Sequence, residues 1–212
     1  MLKSKVIYSV LLMAATTMFS VSCENDNINP YDYVGNGNDN NQNQGSTDVL
    51  KTAVAEYPVG SLVWTKDTTL AESVEIPVGT SLYIEPGVTV TCKSGVQVPV
   101  EIVVLGNLYC MGTAEKPVTF TSDTKKTADW GGIICGYNSE EVVLNHVEIA
   151  YAGATPTESS ASFQNKLFKT TIDGGVPAFH FCNVNGKFVM ANCFFHDNYN
   201  DQTYFTGGNG VI

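Results

Sequence analysis

The chain contains no arginine. Its cations are 11 Lys against 21 Asp and Glu, a formal net charge of −10, and charged residues make up only 15% of the 212. Nucleic acid is captured by clustered Lys and Arg that displace counterions from phosphates, so this balance argues against a nucleic-acid partner. Metal-ligand spacing is missing too. Six Cys and three His occur without a CxxC or HxxxH pattern, which leaves no zinc site and no cofactor to expect. A membrane-spanning helix needs roughly 20 uninterrupted apolar residues. The longest apolar stretch, Val6 to Val21, is broken by Tyr8 and several hydroxyl residues. What is present is 43% hydrophobic residues with 25 Val, 21 Thr and 19 Gly. Such a mixture can bury a core and leans toward strands and turns.

Residues 1–22 read as a secretory signal. Met1-Leu2-Lys3-Ser4-Lys5 is a short basic start, and the apolar stretch follows it. It ends in Phe19-Ser20-Val21-Ser22-Cys23, which resembles the lipobox of bacterial lipoproteins, cleaved before a Cys whose thiol is then acylated. The resemblance implies a membrane partner through a lipid anchor at Cys23. The alternative is an ordinary signal peptide with a Cys near its cleavage site. Residues 23–47 fit a tether: no Lys lies between Glu24 and Thr47, and Asn36 to Gly45 is low-complexity and polar. Such a segment cannot repay its ordering entropy. Without residues 1–22 the chain keeps nine Lys against 21 acids, a balance suited to an exposed outer location. Cys23-Glu24-Asn25-Asp26 resembles the export signal of surface lipoproteins in the Bacteroides group. The expected location is therefore the outer membrane or cell surface.

Residues 48–212 read as one domain. Leu50, Ala53, Val54 and Tyr57 fall at helical spacing between Asp48 and Pro58. They predict a short capping helix over 48–58, unless the tether continues there. From Ser61 onward short alternating runs recur, each stopped by Gly, Pro or Asn: Val74–Ile76, Leu82–Ile84, Val88–Cys92, Ile102–Val104, Leu108–Cys110, Val118–Phe120 and Ile133–Cys135. These are all-β signals. Val90 and Cys92 recur as Leu108 and Cys110, and again as Ile133 and Cys135, while Leu82 and Ile84 recur as Ile102 and Val104. A cycle of about twenty residues favours a parallel β-helix over a sandwich. It predicts an inward ladder Cys92–Cys110–Cys135. Farther on, Val143 to Ile149 parallels Val189 to Phe195, and Ile133 and Cys135 parallel Phe179 and Phe181, each 46 residues later. That longer step equals about two coils, or one coil with an inserted loop over 151–177, and the loop is favoured because Gly153 to Gln164 is rich in Gly, Ala, Thr, Pro, Glu and Ser. The last residues, Tyr204 to Ile212, begin another coil, so an incomplete C-terminal end is expected.

Several runs carry a family resemblance. Val63-Trp64-Thr65-Lys66-Asp67, Ile84-Glu85-Pro86-Gly87-Val88-Thr89-Val90, Leu105-Gly106-Asn107-Leu108, Gly112 to Ser122 and Asp129-Trp130-Gly131-Gly132-Ile133 resemble right-handed parallel β-helix proteins. They are most similar to the pectin-lyase-like surface lipoproteins of Bacteroides-type bacteria. Lyases of this fold abstract a proton with a basic side chain, typically Arg, assisted by calcium on clustered carboxylates. Hydrolases need paired carboxylates across the scissile bond. This chain has no Arg, and its one dense candidate run is His196-Asp197-Asn198-Tyr199-Asn200-Asp201, which reads first as a polar turn after a strand. No catalytic residue is assigned.

For binding, Tyr83 and Tyr109 alternate with inward apolar residues and should point outward, either to stack on sugar rings or to stabilise neighbouring strands. His196, Asp197 and Asp201 are the other candidate ligand contacts. His146 and His180 read as ordinary strand residues, and Trp130 as packing for a turn. Five cysteines remain beyond Cys23, an odd number that cannot be fully paired. Buried thiols, one disulfide and a metal site are the alternatives. The expected function is a non-catalytic surface module for polysaccharide or host-surface glycan; the alternative is a polysaccharide lyase or glycoside hydrolase.

Overall fold

Short β-branched and aromatic runs bounded by turn residues become short strands stacked in parallel. The computed structural model describes residues 57–167 and 175–212. By internal contacts the chain divides into two units, 1–41 and 42–212, and every described residue belongs to the second. The signal segment, Cys23, the tether and residues 48–56 of the expected capping helix lie outside the described residues.

The chain winds through successive triplets of strands. The first coil is β1 (Leu62–Trp64), β2 (Thr68–Leu70) and β3 (Val74–Ile76), and the second is β4 (Ser81–Ile84), β5 (Thr89–Cys92) and β6 (Glu101–Val104). The third is β7 (Asn107–Met111), β8 (Val118–Ser122) and β9 (Gly132–Cys135). The fourth is β10 (Glu141–Asn145), β11 (Val147–Ala150) and β12 (Phe179–Phe181). The fifth is β13 (Lys187–Ala191), β14 (Phe194–His196) and β15 (Thr203–Phe205), and β16 (Asn209–Val211) follows. Each strand lies parallel to the one three places on. The result is a first sheet β1-β4-β7-β10-β13-β16, a second β2-β5-β8-β11-β14 and a third β3-β6-β9-β12-β15. This is an all-β parallel β-helix.

Alternation along each strand builds the core. In the first sheet Ile84, Cys110, Leu144 and Met190 stack inward, one per coil. Val90, Phe120, Ile149 and Phe195 do so in the second, and Ile76, Val104, Cys135, Phe181 and Phe205 in the third. Apart from the half-buried Phe195 and Phe205, all of these are buried. Parallel rungs about 4.8 Å apart bring like positions into contact, so each column is a continuous apolar wall.

The predicted cysteine ladder does not form. Cys92 pairs with Ser122 in the second sheet, Cys110 with Ile84 and Leu144 in the first, and Cys135 with Val104 and Phe181 in the third. All three thiols are inward and buried, but on three different walls. Likewise Leu82 stacks on Leu108, not on Ile102, whose partners are Val74 and Ile133. The three faces share one apolar-x-apolar pattern. Matching similar runs therefore aligned neighbouring faces of one tube instead of successive coils of one face. The 46-residue step is the true register, with Val143 on Val189 and Phe179 on Ile133.

The turns explain why the repeat varies. Between the first and second sheets a corner can be one residue, His146 at φ 48°, followed one coil later by Asn192 at φ 54°. His and Asn tolerate this left-handed region better than bulkier residues do. Gly106, between β6 and β7, presses on the Thr80 carbonyl, which leaves no room for a Cβ. The corners from the second to the third sheet hold 3, 8, 9, 28 and 6 residues. The long one, 151–178, is not merely a loop. It carries the one-turn helix α1 (Ala161–Gln164), which packs on the outside of β6. There Leu167 joins Val103 and Ile134 in a second small core, with Leu105 and Ala161 against it.

Candidate functional site

The outer face of the second sheet carries most of the strand threonines. Among the described residues, every threonine within a strand except Thr203 lies in this sheet. Thr69, Thr91 and Thr121 form one outward column. Thr89, Thr119, Glu148 and Phe194 form the other. Strand propensity alone would spread Thr over all three sheets. An open groove beside the second column is lined by Pro86, Gly87, Thr89, Glu115, Lys116, Pro117 and Thr119.

The same face ends in a polar and aromatic cluster. His196 extends outward from the end of β14, with its Nε2 3.0 Å from Glu148 Oε1 and its Nδ1 2.8 Å from Asp197 Oδ2. Hydrogen bonding to Glu148, then to Asp197, raises the imidazole pKa. Phe194 stacks on the His196 ring with centroids 4.7 Å apart, and Tyr151 meets that ring edge-on at 6.0 Å. Phe194 remains 62% exposed, so most of its face is open to solvent. Backbone geometry positions the group: Tyr151 and Asp197 occupy left-handed corners at φ 65° and 52°. Asn198 clamps the two coils by accepting from the Ala152 N–H at 2.8 Å and donating to the Ile149 carbonyl at 3.0 Å.

His196 and Asp197 are thus brought together. Asp201 lies in the turn before β15, where its backbone carbonyl accepts the Ala178 N–H. Glu148, Phe194 and Tyr151 were not anticipated, although the 46-residue step already stacked Glu148 on Phe194.

Tyr83 and Tyr109 do face outward, on the first sheet. Their rings stack at 4.6 Å, and Tyr57 continues the column at 4.9 Å from Tyr83. Tyr109 is only 5% exposed and donates its hydroxyl to Glu141 Oε2 at 2.7 Å. Burial and then Glu141 raise its pKa far above the ordinary phenol value. Little of the Tyr109 ring is left for a ligand, and the column ties neighbouring strands together.

The thiols are free among the described residues; four are buried and Cys193 is half-buried. Burial raises Cys110 and Cys135 well above the ordinary thiol value and pushes Cys182 up to about 11. Cys182 Sγ lies 3.4 Å from His180 Nε2, a spacing that could suggest a nucleophile and its base. However, burial lowers the His180 pKa to about 4, so near neutral pH the imidazole carries no charge that would draw out a thiolate. Trp130 is fully buried and donates its indole N–H to the Ala150 carbonyl at 2.9 Å, packing a turn as expected. Among the described residues no group of three or more His, Cys, Asp or Glu is placed to hold a metal ion.

Compared with known protein families, residues 59–165 match the model described as a pectate-lyase like beta helix domain. No curated protein and no solved structure matches.

Proposed function

The chain belongs to the family of pectate-lyase like beta helix domains, and from that premise we propose that it is a non-catalytic, lipid-anchored surface module that binds glycan. The observation that carries this reading is the exposed Phe194 ring beside His196, Glu148 and Asp197. A pyranose can lay its apolar C–H face on such a ring. The remaining carboxylate oxygens are then available to accept its hydroxyls, and ionised acceptors make the stronger hydrogen bonds. The threonine columns supply further donors and acceptors along the same face. An extended polymer lying across the rungs would meet one pair of side chains every ~4.8 Å.

Catalysis is less well supported. Glu148 and Asp197 sit on the two nitrogens of one imidazole, so the His196 ring, not an open space for a scissile bond, lies between them. The lipobox-like run at Cys23 and the acidic residues after it support anchoring at the outer membrane of Bacteroides-type bacteria, with glycan or host surface as the second partner.

Affinity measurements against defined neutral and acidic oligosaccharides test the binding reading. Phe194→Ala should weaken binding about tenfold, the loss expected of one aromatic platform. Binding unchanged in both Phe194→Ala and Glu148→Gln would remove the site. Reducing ends released by the native chain, and lost in Asp197→Ala, would replace it with the hydrolase or lyase reading. Acyl labelling of the full chain, abolished in Cys23→Ser, tests the anchor.

A further inference from the structure

Glu101 is the one carboxylate, among the described residues, that is wholly buried. It stands on the outer side of β6, beneath the long connection between β11 and β12. Its carboxyl contacts come from a single residue of that connection. The Ser162 N–H donates to Oε2 at 2.8 Å, and the Ser162 hydroxyl lies 2.7 Å from Oε1. Ser162 is itself fully buried. No Lys or His lies within ion-pair distance of Glu101 among the described residues. A Cβ on Gly131 would come within 2.5 Å of Glu101 Cγ, so the seat is closed from the corner before β9 as well.

The groups around it are few. From β3, Glu75 accepts Asn165 Nδ2 at 2.8 Å. From the connection come Glu158 and Lys166, both exposed, and β12 carries the buried His180. The rest of the docking is the small apolar cluster around Leu167, separate from the core inside the tube.

We propose that residues 155–167, beyond the backbone bonds that fix Gly153 and Ala154 to Gly131 and Trp130, form a detachable arm whose seat on the third sheet is proton-controlled: the arm sits firmly while Glu101 is protonated and loosens when Glu101 ionises. The Ser162 hydroxyl donates to Oε1 in the ionised form; in the protonated acid that bond reverses, Oε1–H donating to the Ser162 hydroxyl oxygen, while Oε2 still accepts the Ser162 N–H. The ionised form also accepts two hydrogen bonds, but it is a buried charge with no counter-charge among the described residues, which favours a state that returns it to water. Burial raises the Glu101 pKa, and the Ser162 hydrogen bonds offset part of that rise. A carboxyl whose pKa is higher seated than free stabilises seating fully below its free value, and that stabilisation is lost as pH rises through the seated value. The arm therefore tightens on acidification. Loosening uncovers Val103 and Ile134, an apolar pair on the outer face of the third sheet.

Hydrogen exchange of the full chain between pH 5 and pH 8 tests this, corrected for intrinsic exchange and referenced to the β10 amides. Protection of the amides of Ser162 to Leu167 should fall as pH rises, by up to about tenfold per unit within the transition, the limit for one proton. Glu101→Gln reproduces both contacts without a charge, so its protection should stay high and flat to pH 8. A flat profile in the native chain, or a Glu101→Gln chain that follows the native profile, overturns the proposal. Should Glu101→Gln fail to fold by circular dichroism, the native profile alone decides.

Discussion

Replacing Trp130 with Phe removes one ring and one donor from a site with no exposed surface. The indole N–H is the partner of the Ala150 carbonyl at 2.9 Å, and the Trp130 side chain is 0% exposed. Leaving a buried carbonyl without its donor costs roughly 1–3 kcal/mol. The space vacated by the smaller ring adds about 1 kcal/mol if the walls do not collapse. The expected loss is about 2–4 kcal/mol, or roughly 4–16 °C in melting temperature for a domain of this size. Urea unfolding followed by far-UV circular dichroism measures it, and Trp64, the other tryptophan, reports separately on the first rung. The slope against urea should not change, because the surface exposed on unfolding is nearly the same. A loss below ~1 kcal/mol would mean that the turn relaxes around the smaller ring, and the assignment of Trp130 as a packing anchor would fail.

Two further outcomes follow from the titrating groups. Because Glu148 and Asp197 raise the His196 pKa, its imidazole should titrate above 6.5 by NMR and move down in Glu148→Gln. Its contribution to stability is present below the unfolded value and fades as pH rises through the folded one; a value at or below 6.5 would contradict the hydrogen bonds. Among the described cysteines a thiol reagent at pH 8 should label Cys193 first, with Cys92, Cys110 and Cys135 reacting only on unfolding, since burial holds all three thiols protonated. Labelling of Cys110 at the rate of Cys193 would refute that order.

The seven runs expected as strands, from Val74–Ile76 to Ile133–Cys135, all fall on strands, because short β-branched runs with apolar residues two apart and turn residues between them have few other solutions. Register was harder to read. Val90-x-Cys92, Leu108-x-Cys110 and Ile133-x-Cys135 are interchangeable as strings, and only pairing assigns them to three walls. The 46-residue step was readable because it matched a longer, more varied run, with Asn145 and His146 marking a corner. Of the candidate site, His196 and Asp197 stood out as polar residues after a strand. Glu148 and Phe194 were hidden because their partnership is made across coils. Glu101 was invisible, since nothing in Val100-Glu101-Ile102 announces that Ser162 will close over it.

The corners from the second to the third sheet range from 3 to 28 residues, yet the strands on either side keep their pairing. Each rung is aligned by the rungs next to it, and its own contour length hardly matters. That junction is accordingly a splice point, where foreign peptide could be grafted, or native peptide trimmed, while the barrel of side chains behind it stays in step.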